Sequence, residues 1–175
     1  MTDNFSKLYE SLQRKHLRLN IHRIWKAAQS CHLDDLSEED YKLYTIMQDH
    51  EEYKEQFENA DTLTEHEYDP NTEVNPFLHI SLHQMVEDQI ASTAPLETGL
   101  FYEAKEDQGY SHHEIVHLIS LILIRITWDA LLKQKPFDES RYRQILKAYR
   151  KKSPEEIPQA LDKEFNDNQH RSDLH

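Results

Sequence analysis

Two pairs of histidines spaced four residues apart, His79/His83 and His113/His117, are the residues of this chain best placed to do chemistry. On an α-helix, positions i and i+4 have Cβ atoms about 5–6 Å apart, and an imidazole nitrogen binds a metal ion at about 2.0–2.1 Å. Each pair can therefore grip one ion from a single helix face. His50 joins them, because it follows Ile46 by four and precedes Tyr53 by three and so takes an inward position on an apolar stripe. Two carboxylates adjoin: Glu87 continues the His79/His83 stripe by one turn, and Asp88 is next to it. A mixed imidazole and carboxylate set suits a divalent transition metal such as zinc, iron or manganese, without choosing among them. An ion with an open coordination position could run hydrolytic or redox chemistry, but no substrate is legible in these residues.

Placement carries more weight than number. With 12 histidines in 175 positions, roughly 0.8 pairs at this helical spacing arise by chance. Both observed pairs, however, fall in the first two turns of a helix whose start is independently signalled. Asn75-Pro76 reads as N-cap and first helical residue. Ser111-His112-His113-Glu114 matches the capping box, in which the third residue after the cap reaches back to the cap amide.

The elements that must position these residues are helical throughout. Only two glycines occur and hairpin dipeptides such as Asn-Gly are absent. A first helix spans about Asn4 to Ser30, with Phe5, Leu8, Leu12, His16 and Leu19 as its stripe and with Ile24 and Trp25 in the core. A second, capped by Ser37, runs to about Asn59 and carries Leu43, Ile46, Met47, His50, Tyr53 and Phe57. After an acidic connection, the third starts at Pro76 and ends before Ser92. A short helix follows from Pro95 to Asp107, closed by Gly109. The fourth long helix, apolar nearly all round from Leu118 to Ile126, is the expected centre of the core, and Pro136 ends it. A basic helix from about Glu139 to Lys152 and a short one begun by Ser153-Pro154 complete the chain.

The expected fold is thus all-α: one helical-bundle domain over 1–165, of four to six helices with a short crossover helix, and a disordered tail at 166–175 that has no apolar anchor. If the third helix runs up, the short one comes down and the fourth goes up again. Both histidine pairs then lie at one end, with His50 arriving from the second helix.

Charge and composition exclude other classes. The formal net charge is −13, with 33 acidic and 20 basic residues, which repels phosphate backbones and anionic lipid and disfavours nucleic-acid and membrane partners. The longest apolar runs, such as Leu118 to Ile124, fall short of the roughly 20 residues of a spanning helix, and no signal-peptide core is present at the N-terminus. The lone Cys31 cannot pair within the chain and fits a reducing compartment, so a cytoplasmic protein is expected. A protein partner or a homo-oligomer is compatible with this surface. Histidines bonded to one another or to Tyr and Glu in an acidic, non-catalytic interaction module form the alternative, with the basic helix from Arg141 to Lys152 as its docking face.

His113-Glu114-Ile115-Val116-His117 also spells H-E-x-x-H, the zinc-protease motif. Here Glu114 has a competing capping role and no third-ligand extension follows, which sets that reading aside. Asn75-Pro76-Phe77-Leu78-His79-Ile80-Ser81-Leu82-His83 followed by Asp88-Gln89, the His113/His117 spacing, Trp128 and Pro136-Phe137-Asp138 together resemble a bacterial family known as domain of unknown function 1841. The likeness runs from about Trp25 to Tyr149. It implies an all-helical protein with recurring histidines and no established activity. Where the family's second-helix segment reads H-P-E-Y-H, this chain has His50-Glu51-Glu52-Tyr53-Lys54, so a lysine replaces one histidine. The family's acid falls on Asp88, which ranks it ahead of Glu87.

Overall fold

A computed structural model describes residues 2–69 and 72–172, with the side chains of 11–69 and 72–165. Among these residues the protein is all-helical, with no strand, and has eight α-helices rather than four to six. They are α1 (Thr2–Gln29), α2 (Glu38–Gln48), α3 (Lys54–Glu58), α4 (Pro76–Ser92), α5 (Leu96–Glu106), α6 (His112–Leu132), α7 (Glu139–Tyr149) and α8 (Glu156–Ser172). The backbone groups into two compact units, one up to Gln84 and the other from Met85 on.

In the first unit α1 packs on α2 and α3 around Ile21, Ile24, Leu43, Ile46, Met47, Phe57, Ala60, Phe77 and Ile80. The expected stripe of α1 is displaced. Leu12 and Leu19 are exposed, whereas Arg18, Ile21 and Ile24 are buried; the side chains of Phe5 and Leu8 lie outside the described residues. Arg18 can take a core position because its guanidinium donates to the carbonyls of Leu63 and His66 and lies over the rings of Tyr68 and Phe77, 5.4 and 4.9 Å from their centroids. Donors and π faces offset much of the desolvation cost of the buried charge, although burial still lowers the Arg18 pKa. The same side chain anchors the long connection between α3 and α4.

The expected second helix is two. Ser37 caps α2, its Oγ accepting from the Asp40 amide, but the helix stops at Gln48. A 3-10 turn (Glu51–Tyr53) with His50 at its start, φ −128° and ψ 58°, precedes α3.

In the second unit α6 packs on α5, α7 and α8. It buries Ile115, Val116, Leu118, Ile119, Ile122, Leu123 and Ile126, as its expected central role requires. By length and composition α6 is apolar enough to cross a membrane, with a mean hydropathy of 1.9 over its best 18 residues; the seven-residue run from Leu118 to Ile124 understated this. Those apolar side chains are the core of this unit. The capping box forms: the Ser111 amide and Oγ donate to the Glu114 carboxylate at 2.8 and 2.6 Å. The segment begun by Ser153-Pro154 is a 17-residue helix, α8, rather than a short one. The expected tail at 166–175 is therefore helical to Ser172, and 173–175 lie outside the described residues.

Lys105, fully buried, donates to the carbonyls of Arg150 and Lys152 and to Gln108 Oε1, which satisfies carbonyls beyond the end of α7. Gln89, the residue after Asp88, accepts at Oε1 from Thr98 Oγ1 (3.0 Å) and from the Tyr142 hydroxyl (2.8 Å). One amide oxygen thus joins α4, α5 and α7. Of the basic helix, Arg141 pairs with Asp129 and lies 4.0 Å from the Phe165 ring centroid, and Arg143 pairs with Glu139.

Candidate metal centre

The site grows from a helix that stops. Were α2 to continue, the His50 amide would donate to the Ile46 carbonyl; instead it donates to Met47. The Ile46 carbonyl is freed, and His50 Nδ1–H donates to it at 2.7 Å. A carbonyl only accepts, so the proton is on Nδ1 and the lone pair of the neutral ring is on Nε2. This is the orientation that metal-ligating histidines have, one nitrogen bonded to backbone and the other turned to the ion.

His50 Nε2 faces His79 Nε2 at 2.9 Å. The Asn75 cap sets the direction of α4, its Oδ1 accepting from the amides of Phe77 and Leu78, each at 3.1 Å. The first turns of the helix then present His79 and His83 side by side, ring centroids 4.7 Å apart. His50 lies against both, 4.7 Å from His79 and 4.5 Å from His83. Three imidazoles of the first unit therefore form one cluster, in which His50 and His83 are buried (0 % and 3 % exposed). His50 and His83 each offer a ring nitrogen within 4.8 Å of the other. Tyr53 closes one side, its ring 6.0 Å from His50 and 5.4 Å from His79.

These distances fit a metal ion. Nitrogens about 2.0–2.1 Å from an ion stand about 2.9 Å apart at right angles and about 3.4 Å apart in a tetrahedron. The His50–His79 separation matches the right-angled case, and it matches a shared proton equally well.

In the second unit the His113 and His117 rings pair with centroids 4.2 Å apart, and their nitrogens also approach within 4.8 Å. The spacing argument thus holds for both pairs. The acids behave differently. Glu87 Oε1 is 2.6 Å from His112 Nε2, and His112 Nδ1 is 3.0 Å from the Tyr102 hydroxyl. Nε2 donates to the carboxylate; Nδ1 accepts from Tyr102 in the neutral ring and donates to it in the protonated one. This carboxylate–imidazole–phenol chain was not legible in the sequence, where His112 and Glu87 lie 25 residues apart with no common spacing. Asp88 is exposed, and five residues after His83 on a helix it points about 140° away from it. Glu114 is held in the capping box, its carboxylate kept below the usual range by the Ser111 hydroxyl and amide, which bears out its expected capping role. Lys54, where the family has a further histidine, begins α3 and is exposed.

No curated protein and no solved structure matches the chain. The sequence model of the Domain of unknown function (DUF1841) matches residues 13–148, a span that holds every histidine of both groups and most of the chain, and the protein belongs to that family.

Proposed function

We propose that the protein binds a divalent transition metal ion, zinc, iron or manganese, through the imidazoles of His50, His79 and His83, with His113 and His117 completing the ligand set. The observation that carries this is the triple-histidine cluster, two of its rings buried, in which the His50 Nδ1–H is committed to the Ile46 carbonyl and its Nε2 is turned to the other rings. Burying the imidazoles of His50 and His83 is costly unless their nitrogens are satisfied, and an ion shared with the half-buried His79 satisfies them at once. The capped i, i+4 placement of His113 and His117 supports their inclusion. No carboxylate belongs to the set, since Glu87 is engaged by His112 and Asp88 is exposed. An all-imidazole set leaves positions for water or substrate. The same reading places the protein in the reducing cytoplasm and makes the interaction module the alternative.

Tag-free protein should carry close to one equivalent of metal by elemental analysis. His83→Ala should lose it, and His117→Ala should lower the affinity at least tenfold. Retention by His117→Ala at full affinity would confine the ion to the first unit. Metal-free protein whose stability survives both substitutions would favour histidines hydrogen-bonded to one another, and with them the interaction module.

A further inference from the structure

His50 opens the 3-10 turn Glu51–Tyr53, and the Tyr53 amide donates to the His50 carbonyl at 3.0 Å. In a 3-10 turn the side chains of residues i and i+3 eclipse, whereas in a continued α-helix they would stand about 60° apart around the axis. The break after α2 therefore does more than free a carbonyl for His50. It lays the Tyr53 ring along the His50 ring, with centroids 6.0 Å apart and 8° between the planes. The same tyrosine meets the His79 ring at 5.4 Å and 67°, an edge contact. It is braced in turn by Phe57, one turn on in α3 and fully buried, at 6.3 Å.

Tyr53 also lines an open cavity of about 770 Å³ in the first unit, between the 3-10 turn, α3 and the connection to α4. His50, His79 and His83 are not on its wall. Tyr53 thus touches the cluster with its ring and the cavity as well. His50 and His83 are buried and His79 is half-buried, so the cluster is most open at His79, and the Tyr53 ring stands beside it.

We infer that Tyr53 is the positioning and gating residue of the histidine cluster: its ring holds the planes of His50 and His79, and it swings aside for an ion, or a ligand to that ion, to pass between the cavity and the imidazoles. A tyrosine ring turns about two side-chain torsions as one rigid plate, so a single rotamer change opens the path. The phenol oxygen has no part in this, and phenylalanine should serve as well. The shielding belongs to the protein alone, and only the passage of an ion rests on the metal reading.

Two measurements on the full chain test this, with Tyr53→Ala, Tyr53→Phe and Tyr68→Ala, the last a control on the same cavity wall. The first treats metal-free protein with diethylpyrocarbonate, which acylates accessible imidazoles, and follows each histidine by peptide mass spectrometry. Tyr53→Ala should raise the rate at His50 and His79 at least fivefold, with His22, half-buried elsewhere in the first unit, unchanged. Tyr53→Phe and Tyr68→Ala should match the wild type. The second follows release of bound cobalt(II) to 1,10-phenanthroline. Tyr53→Ala should speed release at least fivefold and shift the visible absorption of the cobalt, and Tyr53→Phe should restore both. No change in Tyr53→Ala, an equal rise at His22, or an equal effect of Tyr68→Ala overturns the inference. A chain that never carries metal but gains reactivity at His50 and His79 sinks the metal centre and leaves the shield. A chain that holds cobalt, with release and imidazole reactivity unmoved by Tyr53→Ala, sinks the gate and leaves the metal centre.

Discussion

His50 joins two roles that are usually separate: its ring nitrogen takes the carbonyl that its own amide gives up, so one side chain both ends α2 and fixes its tautomer. Apolar periodicity placed His50 inward, which is correct, but periodicity assumes an unbroken helix and cannot register a side chain competing for a backbone carbonyl. The spacing of His79/His83 and His113/His117 was legible because i, i+4 geometry is local. The Glu87–His112–Tyr102 chain was not, because it depends on how helices meet. Tyr142 offers a residue-scale test. Burial pushes its phenol up to about 12, against the pull of its hydrogen bonds with Thr98 and Gln89. A phenol whose folded pKa lies above its unfolded value of about 10 holds its proton more tightly in the native state. Its contribution is complete below pH 10 and is lost as pH climbs through about 12. Urea unfolding at a series of pH values should show stability falling between pH 10 and 12, with a shallower fall in Tyr142→Phe. Tyr149, raised by burial and by Glu164, acts in the same direction.

At the scale of elements, caps were the readable part and helix ends the less readable. Asn75, Ser37 and Ser111 cap as their sequence signals indicate. The C-terminal ends of α1, α4 and α6 instead turn through left-handed residues that are not glycine: Cys31 at φ 59°, Thr93 at 53° and Gln134 at 50°. Each is followed by an amide that bonds back to close the helix, as from Lys135 to the Ala130 carbonyl, the pattern that glycine normally serves. A chain with two glycines has little of the usual signal to read. An L-residue costs about 1–2 kcal/mol in that conformation, and glycine gives back part of the gain through a more disordered unfolded chain. Gln134→Gly should therefore raise Tm by about 1–4 °C, while Gln134→Ala should not; differential scanning calorimetry decides. The stripe of α1 was misread for a related reason. A count of leucines does not reveal that Arg18 finds carbonyls and rings to cover it, and so turns Leu12 and Leu19 outward.

For the whole molecule, the all-helical class followed from composition, whereas the number of helices depended on the break at His50, which composition does not encode. The net charge of −13 implies self-repulsion, which salt screens over about 10 Å at 0.1 M. Tm should therefore rise between 10 and 200 mM sodium chloride. A bound ion adds a concentration-dependent increment, about 2.7 kcal/mol at one hundred times Kd, so chelation should lower Tm in the wild type and leave His83→Ala unmoved, a difference that thermal-shift measurements resolve. The anchoring of the α3–α4 connection has a consequence for how such a molecule can diversify. Arg18 holds that segment through the carbonyls of Leu63 and His66, and a carbonyl is the same whatever side chain follows it. At Leu63 and His66 the path of the connection is thereby uncoupled from the side chain, whereas at Tyr68 the ring itself takes part. Substitution at Leu63 or His66 can therefore change the surface of this connection while its anchor to α1 stays in place.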